Sequence, residues 1–235
     1  MTNMEELNKL ENWKLEVSAY LSELNNKLKT NEKTKDLYYG FDVIDGKIIM
    51  NPDFLFIGIN PGAGDKVRDH EITLETDAIS YLDIYDDDYK YQLAKETIEV
   101  FRTMGMSDEK IYKLLQDSCV KTNQFYISTD SEADIKKCLN ASNETNYGDY
   151  WKKSIEFTIA LIKIIKPKIV VFEGKSAYDS VVEICYEIKD TWDADDLAHF
   201  YSKEDDAHFV GYKRLFSNIK TNKEKLSNKF KEILA

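Results

Sequence analysis

Cysteine, proline and glycine are scarce in this chain of 235 residues, at 3, 3 and 9. Cys119, Cys138 and Cys185 are far apart, forming neither a CxxC pair nor an even set, so a disulfide framework and a cysteine-built metal site are both excluded. So little proline and glycine leaves no convincing linker and no low-complexity tract. A basic excess is missing too. The 32 Lys and Arg stand against 43 Asp and Glu, a formal charge of −11. That rules out a uniformly basic nucleic-acid coat, though not a local basic groove. No apolar run approaches the roughly 18 residues of a membrane span. Met1-Thr2-Asn3-Met4-Glu5-Glu6 has neither the basic flank nor the apolar stretch of a signal peptide. The expectation is an acidic, cytoplasmic protein without a membrane partner.

Apolar residues (43%) and aromatics (12%) are plentiful enough for a sizeable core. Leu7, Leu10, Trp13, Val17, Tyr20, Leu21, Leu24 and Leu28 recur at three- and four-residue steps, the stripe of an amphipathic helix from Met4 to about Lys29. That stripe suits packing on the chain's own core, or a protein partner. Asn31 to Asp36 reads as a solvated connection. Alternation around Asp45-Gly46 signals a short hairpin. Phe54 to Ile59 is continuously apolar, as in a strand buried on both faces of a parallel sheet. Further strands are expected over Val120–Ile127, Lys168–Phe172 and, more weakly, His208–Phe216. Helical patterns lie over Tyr89–Met104, Asp108–Gln116, Tyr150–Ile165, Ser176–Tyr186 and Lys223–Leu234. The acidic stretches Asp83–Asp88 and Asp190–Asp206 read as solvated loops. Strands separated by helices predict an α/β domain over residues 37–235, preceded by a helical extension over 1–36.

In open parallel sheets ligands bind beyond the carboxyl ends of the strands. Three such tips carry polar residues. At Gly58-Ile59-Asn60-Pro61-Gly62-Ala63-Gly64, Pro61 and the glycines hold Asn60 at a strand end, either for function or as an ordinary turn. Asn123, within Lys121-Thr122-Asn123-Gln124-Phe125, must satisfy its amide locally or with a ligand. The third tip, Glu173-Gly174-Lys175-Ser176, is no phosphate loop, because position 169 holds Ile instead of Gly. His70, His199 and His208 lack tight ligand spacing; Asp205, Asp206 and His208 could meet in a loop but read mainly as surface residues. No Ser stands in a Gly-x-Ser-x-Gly elbow and no Cys–His pair is implied, so no metal, cofactor or activated Ser or Cys is expected.

The run Phe54-Leu55-Phe56-Ile57-Gly58-Ile59-Asn60-Pro61-Gly62 resembles the first motif of the uracil-DNA glycosylase superfamily, closest to its mismatch-specific uracil/thymine branch. Val120–Phe125 is similar to that family's second strand, and Lys166–Ala177 to its third strand and turn. The order and spacing agree from Phe54 to about Phe216. The resemblance implies a three-layer α/β/α sandwich around a mainly parallel four-stranded sheet, flipping of a uracil-like or modified base out of DNA, and hydrolysis of its N-glycosidic bond. It implies Asn60 as the residue positioning water, with Gly58, Pro61, Asn123 and a stacking Phe125 around the base. Gly62 and Gly64 would face a phosphate or a base carbonyl.

The fourth tip departs from the family. In place of its His-Pro-Ser or Asn-Pro-Ser loop stands Lys213-Arg214-Leu215-Phe216-Ser217-Asn218-Ile219-Lys220. Lys213, Arg214, Ser217, Asn218 and Lys220, with Lys223 and Lys225, are the candidate DNA contacts. Lacking four cysteines, the chain does not fit the iron–sulfur branch. The alternative reading is a catalytically inactive module of the same fold that binds nucleic acid, a nucleotide or a protein through the N-terminal helix or acidic surface. A nucleoside hydrolase would need a carboxylate cluster at the tips, where only Asp65 and Glu173 stand.

Overall fold

The computed structural model describes residues 4–62, 66–85, 91–141, 143–189 and 191–235. The chain opens with helix α1 (Met4–Lys29), then strands β1 (Gly40–Asp42), β2 (Ile44–Asp45), β3 (Phe54–Gly58) and β4 (Glu71–Thr73). A 3-10 turn over Ser80–Tyr85 leads to helices α2 (Gln92–Thr103) and α3 (Asp108–Asp117), then strands β5 (Cys119–Asn123) and β6 (Ile127–Ser128). Helices α4 (Glu132–Asn140) and α5 (Tyr147–Ile165), strand β7 (Ile169–Glu173) and helix α6 (Lys175–Cys185) follow. Strands β8 (Leu197–Ser202), β9 (Ala207–Tyr212), β10 (Arg214–Leu215) and β11 (Asn218–Ile219) precede the last helix, α7 (Lys223–Leu234).

The main sheet has six strands in the order β2-β5-β3-β7-β9-β8. Its middle four are mutually parallel, and β2 and β8 add antiparallel at the two edges. The four strands expected from sequence are therefore the parallel centre of a wider sheet. β8 lies inside the acidic stretch read as a loop, because the surrounding carboxylates obscure the short run Leu197-Ala198-His199-Phe200.

Every residue of β3, β5 and β7 is buried, which is why β3 and most of β7 read as apolar runs instead of alternating ones, whereas β5 buries Lys121, Thr122 and Asn123. Alternate side chains of β3 feed two separate clusters. Leu55 and Ile57 join residues of α1, α4, α5 and α6, whereas Phe54 and Phe56 join those of α2, α3 and α7. Helix α1 shares the first cluster. Its Leu10, Trp13, Val17, Leu21, Leu24 and Leu28 are buried, and Trp13 Nε1 donates to the Phe157 carbonyl at 3.0 Å. Each such side chain contributes about 2 kcal/mol relative to exposure.

Two local expectations are corrected. Asp45-Gly46 turns no hairpin: β1 pairs with β4 and β6 in a separate three-stranded sheet, while β2 pairs with β5. The Gly46 amide instead donates to Thr76 Oγ1 at 2.6 Å and the Ile48 amide to Glu75 Oε1 at 2.8 Å, so this segment is stitched to residues 74–80. Val120–Ile127 is not one strand, since β5 ends at Asn123 and Ile127 pairs with Phe41 in the separate three-stranded sheet.

Candidate functional site at the strand tips

The strand register builds a polar row at the carboxyl ends of the parallel strands. Gly58 stands opposite Asn123, and Glu173 opposite Tyr212. By alternation all four share the face that carries Phe54, Phe56, Ile169 and Val171. Gly58 is needed here for close approach. A Cβ at that position would overlap Asn123 Oδ1 and lie 3.3 Å from Glu173 Oε2. Both oxygens therefore converge on the space above Gly58. Asn123 is only 7% exposed, yet its carboxamide makes no hydrogen bond to any described residue. That is an uncommon condition for a buried amide, which normally finds partners.

Asn60 sits two residues beyond β3. The strands stay paired past their ends, through Gln124 N to Gly58 O and Phe125 N to Ile59 O, both 2.8 Å, so Asn60 and Asn123 belong to neighbouring tips. Asn60 Nδ2 donates to the Pro61 carbonyl at 3.0 Å and to Thr129 Oγ1 at 3.3 Å. These bonds fix which way the amide faces and leave Oδ1 without a donor among the described residues. An anchored amide with an open acceptor oxygen can orient one water molecule but cannot deprotonate it.

Beside this row lies a buried charged group. Glu173 is 2% exposed and accepts a hydrogen bond from the Tyr81 hydroxyl. Burial pushes its pKa up to about 7; the Arg214 guanidinium pulls it down and the Asp45 carboxylate raises it further. Arg214 lies alongside Gly174, where a Cβ would be 3.5 Å from its Nε. Lys121, 6% exposed, donates to Asp45 Oδ2 at 2.7 Å and lies over the rings of Tyr81 and Tyr91. Burial works against its ammonium, but Tyr91 and Asp45 hold its pKa above the usual lysine value. Burial likewise works to raise the Asp45 pKa, and Lys121 together with Ser80 brings it below the usual carboxylate value. The carboxyl ends thus present an amide, a carboxyl group titrating near neutrality and an internal ion pair.

The remaining sequence candidates fall in three places. Phe125 is 1% exposed, packed against Tyr150 and Tyr147 with ring centroids 5.9 and 5.7 Å away. Its ring is a core residue, which corrects its expected role as a stacking platform. Pro61 is half-buried; Gly62 is exposed, and its carbonyl accepts from Ser128 Oγ at 3.2 Å. Gly64 and Asp65 lie outside the described residues. At the fourth tip, β10 and β11 form a hairpin, with Arg214 opposite Ile219 and Leu215 opposite Asn218. Phe216, in the left-handed region at φ +52, and Ser217 turn it. Leu215 is 55% exposed and Phe216 85%.

The basic residues around that hairpin are mostly spent. Lys213 pairs with Asp196 at 3.2 Å, Lys223 with Glu96 at 2.9 Å, and Lys225 with Asp195. Acids therefore stand directly beside three of the lysines expected to meet DNA. Asp205 and Asp206 do not join His208 either. Asp205 accepts from Tyr186 and Ser202, Asp206 from Tyr201, and His208 Nδ1 lies 3.0 Å from His199 Nε2. Among the described residues, no group of three or more His, Cys, Asp or Glu is placed to hold a metal ion.

Lys121, Tyr81 and Asp45 were not singled out in the sequence. Lys121 did carry a signal, as a charge two residues before Asn123 in a buried strand. Tyr81 carried none, since it arrives from a 3-10 turn distant in sequence. No family model matches the chain, and no curated protein matches it either.

Proposed function

We propose that this chain is a uracil-DNA glycosylase-like domain, a three-layer α/β/α sandwich that receives a flipped, uracil-like or modified base of DNA at its strand tips and hydrolyses the N-glycosidic bond. The observation that carries this reading is the pair of carboxamides on neighbouring tips: among the described residues Asn123 has no hydrogen-bonding partner and Asn60 Oδ1 has no donor. A carboxamide offers a donor and an acceptor, which matches the paired edge of a nucleobase.

In this mechanism the duplex surrenders the nucleotide at a cost of roughly a few kcal/mol. Asn123 meets the edge of the base. The C1′–N bond breaks first, the base leaving with the bonding electrons, and a water held by Asn60 Oδ1 then adds to C1′ and releases its proton to solvent. The apolar tip of Leu215 and Phe216, with Arg214, Ser217, Asn218 and Lys220 around it, fills the duplex where the base has left. Gly58, Pro61 and Gly62 shape the backbone beneath. DNA is accordingly the proposed partner, base repair the proposed role and the cytoplasm the proposed setting.

A second reading, a base-binding module without hydrolysis, is favoured by one specific observation: three of the lysines meant to meet phosphates are paired with acids. One assay separates the two. Single-stranded and mispaired oligonucleotides, each carrying one uracil or one modified base, are incubated with the protein and assayed for alkali-labile sites. Hydrolysis predicts strand breaks that Asn60→Ala suppresses at least 100-fold. Retained oligonucleotide binding with no breaks on any base selects the second reading, and neither binding nor breaks ends both.

A further inference from the structure

Asn123 Oδ1 and Glu173 Oε2 both approach the point above Gly58. Asn123 Oδ1 would overlap a Cβ placed there, and Glu173 Oε2 lies 3.3 Å from the same point. Glu173 Oε1 is already engaged by the Tyr81 hydroxyl, so Oε2 is the oxygen left to turn toward the row. Asn123 has no hydrogen-bonding partner among the described residues. Both residues are more than nine-tenths buried. Acceptor oxygens held this close together are best served by a ligand that brings N–H groups.

The geometry points to Glu173 as a second base-reading group, which with Asn123 selects a base bearing an exocyclic amine over uracil. This rests on the reading of the tips as a nucleobase site and narrows its substrate from uracil-like or modified bases to those bearing an exocyclic amine. The amine nitrogen has two hydrogens, one for Asn123 Oδ1 and one for Glu173 Oε2. Uracil presents a carbonyl oxygen at the corresponding position, and three oxygens would then crowd one point. A site that hydrogen-bonds a particular group rejects the analogue lacking it, because its own polar atoms are left unpaired.

Glu173 accepts best when ionised. The groups that face it are Tyr81 from the 3-10 turn, Asp45 from β2, Asn123 from β5, Tyr212 from β9 and Arg214 from β10. With its pKa near 7, the selectivity grows as pH rises from 6 to 8.

The test uses the full chain and two probes, 1-methylcytosine and 1-methyluracil, whose methyl group stands in for the sugar. Dissociation constants are taken from side-chain amide NMR titrations at pH 6 and pH 8, with Asn123 assigned through Asn123→Asp. The expected result is a preference for 1-methylcytosine of about tenfold or more at pH 8, the scale of one well-made hydrogen-bond pair. That preference shrinks at pH 6 and is lost in Glu173→Gln. Equal affinity for the two probes, or tighter binding of 1-methyluracil, with Asn123 shifting in both titrations, overturns the role of Glu173 and leaves the base site standing. Failure of both probes to bind removes the base site and this inference with it. The wild-type comparison across pH decides the matter even if Glu173→Gln fails to fold.

Discussion

The tips of β3, β5 and β7 and the hairpin after β9 stand at the same end of the sheet, and they handle polarity in opposite ways. At the tips, two amides lack partners among the described residues: Asn123, 7% exposed, makes no hydrogen bond to them, and the half-buried Asn60 has no donor to its Oδ1. On the hairpin and its flanks, charges are exposed and already matched, Lys213 with Asp196 and Lys225 with Asp195. Exposed ion pairs cost little to form and little to break. Amide groups that the described residues leave open remain available to a ligand. On the proposed reading the tips carry recognition, whereas the hairpin contributes an apolar point and modest electrostatics.

The largest effect expected from breaking this contrast is on catalysis at the tips. Asn60→Ala should slow base release at least 100-fold, a loss of about 3 kcal/mol of transition-state stabilisation, with unchanged oligonucleotide affinity. Single-turnover kinetics separate the two quantities. Next comes the carboxyl group of Glu173. Its pKa in the folded chain, about 7, lies above the ordinary 4.5, so folding favours its protonated form. The associated stability is fully present below about pH 4.5 and disappears as pH rises through 7, on the order of 3 kcal/mol in all. Chemical denaturation at pH 5 and pH 8 should show the wild type losing stability that Glu173→Gln keeps.

Much of this region is legible in the sequence, and the reasons differ by element. The stripe from Leu10 to Leu28 marks α1 to its ends, because one helical face is buried against the core. The apolar runs Phe54–Ile57 and Ile169–Phe172 stand out because both faces of these strands are covered by the two clusters. Asn60 and Asn123 are visible as amides next to such runs. The Glu173 environment is not, because it is assembled by Tyr81, Asp45 and Arg214 from three distant segments. Phe125 misleads for a related reason: a large aromatic near a strand tip looks the same in sequence whether it faces a ligand or Tyr150. The lysines mislead because ion pairing with Asp195 and Asp196 depends on where β8 lies, and β8 is hidden among carboxylates.

A smaller effect sharpens the steric side of the comparison. Gly58→Ala puts a methyl group into the space that Asn123 and Glu173 share, and overpacking of this kind costs about 2 kcal/mol. It should lower the melting temperature and abolish base binding together. On the hairpin side, the double substitution Asp195→Asn with Asp196→Asn releases Lys225 and Lys213 for phosphate contacts. Oligonucleotide affinity should rise several-fold at low salt, and the slope of log affinity against log salt should steepen by about 2. The melting temperature should barely move.

Asn123→Ala gives the most direct measurement of all, read by melting temperature and by base release from the same preparation. Because the carboxamide makes no hydrogen bond to the described residues, the melting temperature should stay within about 2 °C of wild type, in keeping with a site whose loss costs the fold little. Base release should vanish. A large drop in melting temperature, or release that continues at the wild-type rate, would show that Asn123 serves the fold or serves nothing at this tip, and the account of the tips as a base-reading site would be wrong.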